Sequence, residues 1–286
     1  MQAEKVHLTN EKETYLTTMY GKALDSRVSN SILGDTFAAD VVQRIDFNFD
    51  KLKLAKGGEV TLPMRAKQLD GWVRDFLAAH PSATVLNLGC GLDSRVFRID
   101  PPATVRWYDV DLPDVIELRR RLYAERNERH DYELVAASVT DLPWLEAIPA
   151  DRPVMVVAEG LVQYLTEAGA DELFNRLTQK FPSGQIIFDV YSRFMTGMIN
   201  LMVRLSSWPG NQTTAGQRVN LPWGVDDPHV FERQVPRLRL VSVVSFLTMP
   251  ELVQRLSVYP NQRISFKLLG GRGWYQKAIV HLRYEF

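Results

Sequence analysis

The chain has 286 residues, 45% of them hydrophobic and 24% charged, enough to bury a sizeable core in one large domain or a domain with a lid. Its 34 basic and 34 acidic residues cancel, which speaks against a general nucleic-acid binder, and its one cysteine, Cys90, excludes an internal disulfide or a cysteine-based zinc cluster. The opening MQAEKVHLTNEKETY lacks an apolar signal core and no apolar run nears the ~20 residues of a membrane span, so a cytoplasmic protein with neither a nucleic-acid nor a membrane partner is expected; oligomeric state is left open.

Residues 11–80 read mainly as helix. Residues 13–24 mix apolar and polar side chains at helical spacing, and Ser31 is a candidate cap for a helix through Phe37, Val41, Val42 and Ile45. A loop is expected over 50–60, around Gly57 and Gly58. Pro63 then suits the first turn of a helix that carries Leu69, Trp72, Val73, Phe76 and Leu77 on one face and ends before Pro81.

Residues 84–87 have buried-strand character, Gly89-Cys90-Gly91 makes a tight turn, and residues 92–98 can start a helix. Strand, glycine turn, helix is how α/β proteins hold a nucleotide-like cofactor, although many such turns bind nothing. Gly89 serves the turn, Gly91 lets backbone approach a ligand, and free N–H groups at the helix start would suit an anionic group. Alternation follows: strand 105–111, a helix from Pro113, strand 132–138, the apolar strand 154–158, helix 168–181 and strand 185–190. This pattern means a parallel sheet with helices on both faces.

Residues 192–235 break the pattern with a helix over 194–205 and loop thereafter, as a lid or binding insertion would. Strand character returns over 238–247, Pro250 opens a helix to Leu256, and residues 276–286 form a last strand. Two late strands without a full helical crossover predict an antiparallel pair at one sheet edge. The expected fold is α/β: a doubly wound, mostly parallel seven-stranded sheet in a single domain. Its parts are a helical extension or lid (1–80), which with the insertion is long enough to roof a crevice at the strand ends, a cofactor-binding core (81–191), a lid insertion (192–235) and edge strands (236–286).

Asp109 and Asp111 close the second strand about 20 residues beyond the glycine turn, where acids accept hydrogen bonds from ribose hydroxyls, and at i and i+2 they share a face. Asp141 follows the third strand, near where an adenine amino group would lie, or else caps a helix. Glu159 ends the apolar fourth strand and faces the ligand crevice unless an arginine pairs with it. Arg65, on the helix before the first strand, could ion-pair with a cofactor carboxylate or sit at the surface. Cys90 reads as packing. The arginines 119, 120, 121, 126 and 129 alternate with Glu117, Glu125 and Glu128, a solvated face. The histidines lack metal spacing. His229, Tyr164 and Tyr191 are weak candidates for a general base, and Phe194, Met195, Met198, Trp208 and Trp223 could supply an apolar acceptor roof.

The segment RAKQLDGWVRDFLAAHPSATVLNLGCGLDSRVFRID resembles the leucine carboxyl methyltransferase family and its bacterial polyketide O-methyltransferase branch. The motifs in order are Arg65; Gly89, Gly91, Asp93, Arg95 and Arg98; Asp109-Val110-Asp111-Leu112-Pro113; and Ala158-Glu159-Gly160-Leu161 running on to Tyr164-Leu165. They match well over residues 60–190. The resemblance implies a class I, Rossmann-like methyltransferase with S-adenosylmethionine (SAM) as cofactor. Arg65 would hold its methionine carboxylate, Gly89 line the methionine portion, Asp111 bind the ribose and Glu159 the amino-acid end. Adenine would fall within Ser138, Val139, Thr140 and Asp141, where the chain departs from the family's Asp-Leu. The expected activity is O-methylation of a small aromatic or polyketide-like hydroxyl. The alternatives are a carboxylate acceptor, SAM binding without turnover, and a nicotinamide dehydrogenase, against which Ser94 stands where a third fingerprint glycine belongs.

Overall fold

Seven strands alternate with helices in the computed structural model, which describes residues 10–52, 54, 57–124, 131–206 and 221–286. In chain order come α1 (Asn10–Asp25), α2 (Thr36–Arg44), α3 (Gly58–Ala79), β1 (Thr84–Leu88), α4 (Arg95–Ile99), β2 (Arg106–Asp111), α5 (Pro113–Leu122) and β3 (Tyr132–Ala136). Then follow α6 (Pro143–Glu146), β4 (Val154–Ala158), α7 (Glu167–Lys180), β5 (Gly184–Tyr191), α8 (Arg193–Ser206), α9 (Val230–Gln234), β6 (Arg239–Ser245), α10 (Pro250–Leu256), α11 (Pro260–Leu269), α12 (Gly273–Gln276) and β7 (Ile279–Glu285).

The sheet order is β3-β2-β1-β4-β5-β7-β6. Strands β1 to β5 are parallel, while β7 runs antiparallel between β5 and β6, which puts the expected antiparallel strands at one edge. Helix α10 runs from Pro250 to Leu256 as expected, and α11 and α12, which the late sequence pattern did not show, complete the connection from β6 to β7. Every residue of β1 and β4 is buried, as the unbroken apolar runs require of central parallel strands. On one face Leu69, Trp72, Val73 and Phe76 of α3 pack on Val85, Trp107, Met155 and Val157. On the other, Leu173, Phe174 and Leu177 of α7 and Phe231 of α9 cover Leu86, Val156, Ile186 and Phe188. Each fully buried aliphatic or aromatic side chain contributes about 1.5–3 kcal/mol.

The N-terminal helices add a third cluster, in which Leu16, Met19 and Ala23 of α1 meet Val41 and Val42 of α2 and Leu118 and Leu122 of α5. Local details depart from expectation here. Asp35, not Ser31, caps α2, its carboxylate accepting from the Ala38 N–H at 3.0 Å. Ser31 instead donates to Asp25 Oδ2 at 2.7 Å, because that carboxylate organises the preceding turn through the N–H groups of Ile32 and Leu33. Helix α3 begins at Gly58 rather than Pro63, since the Gly57 carbonyl already accepts from the Val60 and Thr61 N–H groups. Pro63 therefore lies inside the helix, and the expected loop is shorter than 50–60.

Candidate cofactor and acceptor site

The carboxyl ends of β1, β2, β4 and β5 open onto a cavity of about 700 Å³. At its edge Gly89 (φ +61°) and Gly91 (φ +50°) hold left-handed conformations that a side chain would strain. A Cβ on Gly91 would stand 2.8 Å from the Tyr15 ring, and one on Gly89 would stand 2.9 Å from Leu161 Cδ1. The turn's N–H groups are not free for an anion. Those of Gly89 and Cys90 go to the Val110 carbonyl, and that of Gly91 donates to Asp111 Oδ2 at 2.7 Å. Helix α4, which follows the turn, is five residues long. Asp111 also accepts from the Leu112 N–H at 2.7 Å. Burial raises its carboxyl against these two N–H groups, and the residue lines the cavity.

Asp109 does not reach the cavity, although it shares a strand face with Asp111. It is fully buried and accepts from Trp107 Nε1 and Asn87 Nδ2, each at 2.9 Å, from the Tyr132 hydroxyl at 2.7 Å, and from Arg119. Arg119 is correspondingly a core residue rather than part of a solvated face, and residues 125–130 of the expected basic run lie outside the described residues.

A network of buried charges forms the cavity floor. Glu159 meets Arg65 Nε at 3.1 Å, Lys22 Nζ at 3.5 Å and the Arg95 guanidinium. Asp93 meets Lys22 and Arg95, each at 2.9 Å, and Arg98 at 2.7 Å. Asp70, from α3, accepts from Arg95 at 2.7 Å and Arg98 at 2.6 Å. Asp35 bonds Ser94 Oγ at 2.6 Å and Arg98 at 3.2 Å, and Asp189 Oδ2 stands 3.8 Å from Arg65. Burial alone would raise Glu159, but Lys22, Arg95 and Arg65 hold it well below the ordinary carboxylate range. Arg95, Arg98 and Lys22 likewise overcome burial at Asp93. At Asp189 burial prevails and raises the carboxyl, despite Arg65 and a 2.6 Å bond from the Gly160 N–H. The network thus sets the carboxylates of Asp35, Asp70, Asp93, Glu159 and Asp189 against the cations of Lys22, Arg65, Arg95 and Arg98.

Known proteins are similar to this chain over most of its length. The leucine carboxyl methyltransferase family profile matches residues 15–178. The chain belongs to that family. It is 41% identical to the tetracenomycin polyketide synthesis O-methyltransferase TcmP of Streptomyces glaucescens, over 87% of this chain and 88% of that one. It is 34% identical to the S-adenosyl-L-methionine-dependent methyltransferase dpfgK of Gibberella zeae, over 82% of each. A DUF574 family protein from Streptomyces avermitilis shares the fold, with a TM-score of 0.58 at 14% identity, covering 96% of this chain and 99% of that one. The protein is therefore a SAM-dependent methyltransferase with the class I fold.

In this methyltransferase Arg65, Gly89, Gly91, Asp93, Asp111, Ser138, Val139, Glu159, Tyr164 and Tyr191 all line the cavity. Asp141 does not; it is exposed beyond the Ser138 to Thr140 turn. His229 does not either: it is 62% exposed in its side chain and pairs with Glu232 at the start of α9. Tyr191 and Tyr164 flank Arg65; burial raises both hydroxyls, more strongly at Tyr191, so they are protonated donors rather than bases at neutral pH.

No described residue of 192–235 lines the cavity. Phe194 is 57% exposed and meets the Trp274 ring edge-on, Trp223 donates from Nε1 to the Val162 carbonyl at 3.3 Å, and Trp208 lies outside the described residues. The roof comes from the N-terminal extension, with Tyr15, Met19, Leu52, Leu54 and Leu62. Sequence reasoning missed Lys22, which is 2% exposed. Its spacing from Leu16 and Met19 puts a lysine on the buried face of α1, and that was the available signal. Among the described residues, no group of three or more His, Cys, Asp or Glu could hold a metal ion, and no helix is long and apolar enough to cross a membrane.

Proposed function

We propose that the enzyme methylates a hydroxyl oxygen of a small, largely apolar acceptor of aromatic or polyketide type. The observation that carries this reading is the division of one cavity into two chemistries. The charged network built on Glu159 and the apolar side chains of Tyr15, Met19, Leu52, Leu54 and Leu62 line the same cavity. A flat apolar molecule suits such side chains. The relative TcmP is named for polyketide synthesis, which agrees.

The floor fits the cofactor. Its excess of carboxylates over cations complements a cationic sulfonium, and the glycines leave room where a Cβ would collide with Tyr15 or Leu161. Lys22 and Arg65 would hold the methionine carboxylate, Glu159 the amino group and Asp111 the ribose hydroxyls. SAM supplies an electrophilic methyl group on sulfur. The chain's own part is alignment and exclusion of water: held reactants can gain about 7–11 kcal/mol over free encounter. Tyr164 and Tyr191, protonated beside Arg65, donate hydrogen bonds that orient the acceptor oxygen. With Lys22 and Arg65 assigned to the methionine carboxylate, the remaining described lining cation, Arg95, is held between Asp70, Asp93 and Glu159, which leaves none for an acceptor carboxylate and favours a hydroxyl.

A panel of phenolic acids, polyketides and C-terminal peptides, assayed for S-adenosylhomocysteine release, tests this. Turnover with hydroxylated aromatics and methylation at oxygen is the expected result. Turnover with peptides alone would overturn it in favour of carboxyl methylation.

A further inference from the structure

The floor accounts for the cofactor's amino-acid end and Asp111 for its ribose, but the carboxylate expected at adenine, Asp141, does not line the cavity. Ser138 is engaged with Thr140, hydroxyl to hydroxyl at 3.0 Å. One lining side chain stands out by contrast. Gln163 is 4% exposed, and its Oε1 is buried with no hydrogen-bond partner among the described residues. A buried amide carbonyl left unpaired is costly, and rotation of this lining side chain to meet a ligand donor in the cavity relieves that cost.

The position of Gln163 says which part of the ligand it meets. After β4 the chain crosses the cavity as a strap. Gly160 abuts the Arg65 guanidinium, Leu161 covers Gly89, and a 3-10 turn over Val162–Tyr164 follows. The Trp223 Nε1 bond to the Val162 carbonyl pins that turn. The strap ends at Thr166, which caps α7, and there Gly169 stands beside Thr140 of the loop after β3. Gln163 thus falls between the Gly89 end and the Thr140 end of the cavity. A ligand with its tail at Glu159 and its ribose at Asp111 continues toward β3, so its base lies against this stretch.

We propose that Gln163 reads the adenine of SAM, its amide oxygen accepting from the exocyclic amino group and its amide nitrogen donating to a ring nitrogen. A primary amide matches that donor–acceptor pair, as it does when proteins read adenine in nucleic acids. This inference rests on the cofactor placement argued above. It assigns the base to a position that is unspecified within the Ala-Glu-Gly-Leu-x-x-Tyr-Leu motif.

A two-by-two titration calorimetry experiment tests it. Wild type and Gln163→Met are each titrated with S-adenosylhomocysteine and with its analogue lacking the 6-amino group, and circular dichroism confirms that both proteins are folded. The wild type is expected to prefer the adenine ligand by about tenfold or more, and Gln163→Met to bind both ligands alike. Unchanged affinity for S-adenosylhomocysteine in the variant overturns the proposal. So does an equal loss for both ligands, which would mean that Gln163 only shapes the wall. Failure of the wild type to bind S-adenosylhomocysteine at all would instead refute the cofactor placement itself.

Discussion

Two regions lie outside the alternating core, the N-terminal extension through α3 and the insertion between β5 and β6, and among the described residues the first lines the cavity while the second does not. The extension contributes Tyr15, Met19, Lys22, Leu62 and Arg65 to the lining, and Asp35 and Asp70 to the charges beneath it. The described part of the insertion contributes no lining residue. It is anchored locally: the Asn200 amide exchanges two 2.9 Å bonds with the Leu221 backbone, and the Val225 N–H donates to the Tyr191 carbonyl. Helix α8 turns Phe194, Leu201, Met202 and Leu205 outward. Being attached near the strand ends is therefore not what makes a segment part of the site. The extension is committed by buried ion pairs whose partners lie just after the glycine turn, on α4 and at the end of β4, and these become costly if half of a pair is removed.

That contrast is sharpest in stability. Asp70→Asn leaves Arg95 and Arg98 without the carboxylate they share, and should lower unfolding free energy by about 3–5 kcal/mol in denaturant melts. A loss below about 1 kcal/mol would mean that the extension is held by its apolar contacts alone.

The next effect reads the floor through pH. His281 sits on β7 opposite Asp189, fully buried, with both ring nitrogens unpaired among the described residues. Burial, then Arg65, pushes its pKa down to about 3. The unfolded chain protonates this ring near pH 6.5 and the native state does not. Stability is therefore complete above about 6.5 and falls by up to about 1.4 kcal/mol per unit as pH drops toward 3. Between pH 6.5 and 5 the loss should be about 2 kcal/mol, and His281→Leu should remove that part of the slope. An unchanged slope in the variant would assign the acid sensitivity to other groups.

Binding separates the regions with a smaller number. Lys22→Met, in the extension, should weaken S-adenosylhomocysteine by about 1.5–3 kcal/mol, the scale of a hydrogen bond to a charged group. Phe194→Ala, in the insertion, should leave the titration unchanged. A reversed order would return the insertion to the site. A modest loss of unfolding free energy is expected at Trp223→Phe, which loses the bond to the Val162 carbonyl but keeps most of the ring packing, at about 0.5–1.5 kcal/mol in denaturant melts.

Much of this site was legible because it follows strand ends. Gly89, Asp111 and Glu159 close β1, β2 and β4, and the apolar runs that define those strands also fix where their last residues face. Asp109 was harder. Its i, i+2 relation to Asp111 is correct, yet depth along the strand decides whether a shared face meets ligand or core. Arg119 looked like one charge in a solvated run because sequence spacing does not reveal the buried carboxylate and phenol waiting on β2 and β3.

The sequence by itself determined the doubly wound sheet, its antiparallel edge, the glycine turn and the family, because these rest on local periodicity and on residues close together in the chain. Tertiary structure alone decided which segment roofs the cavity, and that Lys22, Asp35 and Asp70 join Arg95, Arg98 and Glu159 in one floor. Those partners come from helices separated from the glycine turn by tens of residues. Buried charges are stable only in three-dimensional register with one another, and periodicity along a chain carries no record of that register.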